Sequence, residues 1–123
     1  MLQLANLHPT IGIQQQLSAA TEGPVVLLNL FTVAEEDAEA LKAAWRDDAV
    51  YFKRQPGFIS AQLHEGLGGA VAYLNYAVWE SLAQFRTAFA NPEFQRKLAA
   101  YPDSTVAAPY LFRKLAVPDV CVA

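Results

Sequence analysis

Phe58-Ile59-Ser60-Ala61-Gln62-Leu63-His64-Glu65-Gly66-Leu67-Gly68-Gly69-Ala70-Val71-Ala72-Tyr73-Leu74-Asn75-Tyr76-Ala77-Val78-Trp79-Glu80 reads as a β-hairpin. Phe58 to Glu65 and Val71 to Glu80 are strands. Gly66-Leu67-Gly68-Gly69 between them opens a strand rather than a helix, so it is a turn and not a phosphate cradle. Downstream, Ser81 is an N-cap with Gln84 three residues on. The helix it opens carries Leu82, Phe85 and Phe89 inward, and Asn91-Pro92-Glu93 starts a further short helix through Phe94 and Leu98. Upstream, Pro56-Gly57 ends a helix that begins at the acids Glu35, Glu36 and Asp37, repeats Ala38, Leu41, Trp45, Ala49 and Phe52 at helical spacing, and finishes on Lys53 and Arg54. A strand over residues 24–31 precedes it, and Tyr110 to Val117 is the last strand. The order β-α-β-β-α-β predicts an α+β, ferredoxin-like fold, in which a four-stranded antiparallel sheet carries both helices on one face. The predicted organisation is an N-terminal arm over 1–23, the domain over 24–117 and a tail over 118–123.

Two amides interrupt the apolar strands: Asn29 in Val25-Val26-Leu27-Leu28-Asn29-Leu30-Phe31 and Asn75 in the second strand of the hairpin. Asparagine is disfavoured in strands, and a buried amide is costly unless something bonds it, so the pair suggests an interior surface reserved for a ligand. By alternation, Val26, Leu28 and Leu30 point to one side of their strand, and Val25, Leu27, Asn29 and Phe31 to the other. In the hairpin, Leu74, Tyr76 and Val78 oppose Val71, Tyr73, Asn75, Ala77 and Trp79. With the helices on the all-apolar sets, Asn29, Asn75 and Trp79 converge on the free face. Both faces of these strands need cover, and a second copy of the chain supplies it, giving an isologous homodimer that keeps one pocket per protomer.

The 123 residues are 54% hydrophobic and 17% charged, which suits one domain with a sizeable core. A net charge of -3, with nine Lys and Arg scattered along the chain, leaves no footprint for nucleic acid or an anionic membrane surface. Cys121 is the only cysteine, which suits a reducing cytoplasm. No run is long enough to cross a bilayer and the first residues lack the pattern of a secretion signal, so a cytoplasmic location is expected.

Val26-Leu27-Leu28-Asn29-Leu30-Phe31, Gln55-Pro56-Gly57-Phe58, Asn75-Tyr76-Ala77-Val78-Trp79-Glu80-Ser81, and Phe85 with Phe89 together resemble the antibiotic biosynthesis monooxygenase domains of the dimeric α/β-barrel class, from about Gly23 to Tyr101. The resemblance implies a monooxygenase that oxidises an anthrone-, phenol- or quinol-like small aromatic with O2 as co-substrate and with no flavin, haem or metal. It implies Asn29 and Asn75 as the substrate-carbonyl and oxyanion contacts, and Trp79 as a ring-stacking residue. Phe31, Tyr73 and Phe89 are expected as pocket walls. His64 is expected at the free face as an optional base, and Arg86 as a residue within reach of an anionic substrate.

Each of these has a plainer reading. Asn29 and Asn75 could bond neighbouring backbone at a bulge, Trp79 could be core, His64 could bond across a dimer interface, and Arg86 could lie on a solvated helix face. Trp45 is read as core. Asp47 and Asp48, with Glu35 to Asp37, are read as solvated helix turns rather than metal ligands. Two histidines and one cysteine far apart exclude a structural zinc. No histidine follows His64, which excludes a haem-degrading member of the same fold, and no G-x-S-x-G elbow occurs. The alternative readings are an isomerase or a quinone- or aldehyde-detoxifying enzyme using the same pocket, or a non-catalytic small-ligand-binding dimer. The arm, with Leu2, Leu4, Leu7, Ile11, Ile13 and Leu17, is expected to pack across the dimer or over the pocket mouth.

Overall fold

A computed structural model describes residues 1–123. Its strands are β1 (Gln3–Leu4), β2 (Val25–Thr32), β3 (Phe58–Glu65), β4 (Ala72–Trp79) and β5 (Val106–Phe112), and its helices are α1 (Ile13–Gln16), α2 (Ala38–Lys53), α3 (Leu82–Ala90) and α4 (Pro92–Lys97). The sheet order is β1-β5-β2-β4-β3, so the four strands of the ferredoxin-like core lie antiparallel with β2 and β4 at the centre. Asn29 and Asn75 stand directly opposite one another in that central pair.

Local chemistry sets the element ends. Ser81 caps α3 by accepting from the Gln84 amide at 3.2 Å. Asn91 ends α3 and caps α4, accepting from the Glu93 amide at 2.8 Å ahead of Pro92 in the first turn. Acids at Glu35, Glu36 and Asp37 precede α2 and Lys53 lies in its last turn, both matched to the helix dipole. Gly57 then turns the chain with φ +89, and a Cβ there would meet the Gln84 side chain at 2.5 Å.

The last strand begins earlier than its sequence suggests, at Val106, and ends at Phe112 rather than Val117. Pro109 inside it is tolerated because of its parity. Ala107 accepts from Ala5 and Leu111 donates to the Gln16 side chain, both on the outer edge, so Pro109 turns its missing N–H to that edge and away from β2.

The N-terminal arm completes this edge. β1 runs parallel to β5 as a fifth strand, Ile13 is buried in the core, and the Gln16 amide both donates to Leu111 O (3.0 Å) and accepts from Leu111 N (2.9 Å), imitating one rung of a strand ladder.

The helices cover the opposite set of side chains from the one expected. Val25, Leu27, Phe31, Tyr73, Ala77 and Trp79 are buried beneath them, whereas Leu30 and Tyr76 on the other side are 51% and 42% exposed. Alternation in strands apolar on both sides separates two sets without saying which is covered. The handedness of the strand-helix-strand crossover decides that, and it places Asn29, Asn75 and Trp79 inside.

Candidate active site

The buried core forms two clusters. One gathers Val25, Trp79, Leu82 and Phe85, and the other Phe31, Leu41, Tyr73 and Tyr101. Between sheet and helices, lined by members of both, lies a cavity with 17 hydrophobic residues among its 21. It offers about 90 Å3 to the centre of a water-sized sphere, against roughly 10–15 Å3 needed for one water. This is therefore space for a ligand rather than for a single structural water.

Aromatic rings make most of its wall. Trp79 is 1% exposed and meets Phe52, Phe58 and Phe85 edge-on at centroid distances of 5.7, 5.5 and 5.5 Å. Phe89 packs on Phe85 at 5.4 Å and on Phe94 at 5.3 Å. Such surfaces bind a flat conjugated molecule through offset and edge contacts. Leu2 and Leu4 bring the arm to the cavity as part of its lining.

Polar groups are few. Asn29 Oδ1, Asn75 Oδ1 and Asp48 Oδ1 are buried without a hydrogen-bond partner, and all three residues line the cavity. A buried polar atom without a partner is uncommon in native proteins. Three around one apolar space make a set of groups available to a ligand. The amides can each turn an N–H2 or an oxygen toward a substrate oxygen or hydroxyl.

Asp48 departs most from its expected place. It is buried, not solvated, because it lies seven residues beyond Leu41 on the inward stripe of α2. Its Oδ2 accepts from the Tyr101 hydroxyl at 2.6 Å. Burial pushes its carboxyl up to about 6, against the opposing pull of the Tyr101 hydrogen bond and of Lys97, while Asp47 adds to the rise. Tyr101 is held well above the usual phenol range by burial first and by Asp48 next. The signal for Asp48 was present in the heptad spacing from Leu41.

Of the other expected site residues, Phe31 and Phe89 line the cavity together with Asn29, Asn75 and Trp79, and Trp45, read as core, lines it too. Tyr73, His64 and Arg86 do not. Tyr73 is buried on the helix side but packs in the Leu41 cluster. His64 is exposed on the other face, its Nδ1 3.2 Å from the Leu74 carbonyl oxygen. Arg86 donates through Nε to Leu17 O at 2.6 Å and so holds the arm. The pocket is thus not on the free face but between the sheet and the helices.

The sequence matches the profile of the antibiotic biosynthesis monooxygenase family over residues 24–100. The chain belongs to that family. Among its relatives, deoxynogalonate monooxygenase of Streptomyces nogalater is 37% identical over 70 residues, covering 57% of this chain and 58% of the relative. Tetracenomycin-F1 monooxygenase of Streptomyces glaucescens is 38% identical over 74 residues, covering 56% and 62%. The chain therefore matches less than two thirds of the length of either. The fold is similar to the crystal structure of SnoaB, a cofactor-independent oxygenase from Streptomyces nogalater, with a TM-score of 0.71, 28% identity and coverage of 79% of this chain and 98% of that one. A monooxygenase-like protein from Shewanella loihica gives 0.67 at 29% identity, covering 80% and 100%. Within this member of the family no helix is long and apolar enough to cross a membrane, and no three His, Cys, Asp or Glu side chains come together as metal ligands.

Proposed function

We propose that the protein is a cofactor-independent monooxygenase that oxidises a phenol-, anthrone- or quinol-type aromatic with O2. The observation that carries this reading is the aromatic-walled cavity whose partnerless polar atoms belong to Asn29, Asn75 and Asp48. Relatives named as monooxygenases of deoxynogalonate and tetracenomycin F1 support it.

An electron-rich aromatic carries its own reducing power. An anthrone enol loses its hydroxyl proton, and the resulting anion passes one electron to O2. The two radicals then join through a new C–O bond as a peroxide. Once protonated, the peroxide loses its O–O bond together with the remaining C–H proton. The C–H electron pair forms the C=O bond, and the departing hydroxide leaves as water. One methylene and one O2 thus become one ketone and one water. The chain's part is to hold the ring between Trp79 and the phenylalanines, to set an Asn29 or Asn75 amide on the developing oxyanion, and to exclude bulk water.

The reading includes a homodimer formed through the exposed face of the sheet. Val26, Leu28, Leu30, Leu74, Tyr76 and Val78 lie together there across the paired β2 and β4, and an apolar patch of this kind marks an interaction surface.

Oxygen uptake by the metal- and flavin-free protein against anthrones and hydroquinones tests the activity. Uptake above the autoxidation blank is expected, and it falls in Asn75→Ala and Trp79→Phe. A folded protein that binds these aromatics without consuming O2 is instead a binding protein or an isomerase.

A further inference from the structure

The proposed oxidation starts with loss of a hydroxyl proton, and the cavity wall contains two side chains that titrate, Asp48 and Tyr101; it has no His, Lys, Cys or Glu. Tyr101 already gives its proton to the hydrogen bond with Asp48 Oδ2, and both burial and the neighbouring carboxylate keep it protonated. That bond fixes the carboxylate and leaves Oδ1 buried and without a partner in a residue that lines the cavity. A carboxylate stands here at a buried position where an apolar residue would continue the stripe of α2.

We propose that Asp48 is the base that takes the hydroxyl proton of the bound phenol or enol, with Tyr101 as the residue that positions it. This rests on the monooxygenase reading. The substrate O–H bond breaks, its electron pair stays on oxygen, and the proton passes to Oδ1. The neutral carboxylic acid then returns that proton to the peroxide formed with O2. The restored carboxylate takes the C–H proton as the O–O bond breaks and passes it to the departing hydroxide. Asp48 ends as it began, and the only oxidant is O2.

The groups that set its charge state are Tyr101 after α4, Lys97 on α4 and Asp47 on its own helix, while Asn29 and Asn75 face the cavity from the sheet as neutral amides. A base with its titration near 6 is ionised at neutral pH, yet basic enough to receive a proton from an acidic enol.

The test follows O2 uptake with 1,8-dihydroxyanthrone from pH 5 to 9 in wild type, Asp48→Asn and Tyr101→Phe. Binding of a hydroxyanthraquinone, which cannot be oxidised further, is followed by Trp45 and Trp79 fluorescence. Asp48→Asn is expected to lose turnover by about 100-fold or more, to bind the hydroxyanthraquinone within a few-fold of wild type, and to lose the acid limb near pH 6. Tyr101→Phe is expected to keep that limb but move it to higher pH, since the lost hydrogen bond had favoured the carboxylate. Wild-type turnover that survives in Asp48→Asn with its acid limb intact overturns the base and leaves the monooxygenase reading standing. A second readout needs no turnover. The hydroxyl of the bound hydroxyanthraquinone, followed by its absorbance, is expected to ionise at higher pH in wild type than in Asp48→Asn, because a carboxylate beside it opposes a second negative charge. Equal titration in the two proteins overturns the proposal even if O2 uptake fails for every substrate.

Discussion

Asp48 couples the folding stability of the chain to pH in a direction opposite to its proposed use. Its carboxyl holds a proton up to about 6 when folded, against an ordinary value of 3.8 for an aspartate in water, so between these values the folded state binds more protons than the unfolded one. Its favourable contribution is complete below about pH 4 and is lost as pH rises through 6. Asp48→Asn keeps an acceptor for Tyr101 and removes the buried charge. The variant is expected to be more stable than wild type at pH 7.5 by up to about 3 kcal/mol, a gain that shrinks toward pH 4. Urea unfolding at the two pH values measures this, and equal gains at both would show that the carboxyl is not the titrating group. The central amide follows the same logic. Asn29→Leu replaces a buried group whose oxygen has no partner, and is expected to raise stability by about 1 kcal/mol while lowering oxygen uptake. A loss of stability on urea titration would show that Asn29 is part of the packing rather than of the site.

At the scale of elements, the strand and helix order was legible from hydrophobic period, the Gly66 to Gly69 turn and the Ser81 and Asn91 caps. Which face the helices take was not, because β2 and β4 are apolar on both sides. A signal lay in β3, where Ser60, Gln62 and His64 alternate with Ala61 and Leu63. Gln62 pairs with Tyr76 and His64 with Leu74, so the polar side of β3 and the Leu74–Tyr76–Val78 side of β4 form one face. An irregularity between Phe58 and Ser60 shifts that register and hides the link from simple counting. The convergence of Asn29, Asn75 and Trp79 was readable, as were the place of His64 on the uncovered face and that of Tyr73 beside Asn75; the side on which the pocket lies was not, and the place of Arg86 depends on where the arm docks. Gly57 ties α2 to α3 in a way the sequence states only as a break. With φ +89 and the Gln84 side chain 2.5 Å from any added Cβ, Gly57→Ala is expected to cost about 1 to 3 kcal/mol by urea titration. Gln16→Ala removes both hydrogen bonds to Leu111, and a loss of about 1 to 2 kcal/mol is expected. No change on urea unfolding would mean that the arm does not hold the β5 edge.

For the whole molecule, the sheet divides the work. One face, under the helices, encloses the cavity; the other leaves Leu30 51%, Tyr76 42% and Phe112 39% exposed. These side chains lie next to half-buried Val26, Leu28 and Val78 on paired strands, so the exposed apolar surface is continuous rather than scattered. A second chain placed face to face would bury it around the two-fold axis, with Ser60, Gln62 and His64 forming a polar rim at β3. Because the cavity lies on the opposite side of the sheet from this patch, dimer formation and ligand binding are expected to be separable. Tyr76→Glu places a charge in the middle of the patch, and sedimentation velocity at micromolar concentration is expected to show a dimer for wild type and a monomer for the variant. The same variant is expected to bind the hydroxyanthraquinone within a few-fold of wild type by Trp45 and Trp79 fluorescence. A wild type that sediments as a monomer removes the dimer. A monomeric variant that has lost the ligand means that the two faces of the sheet are coupled.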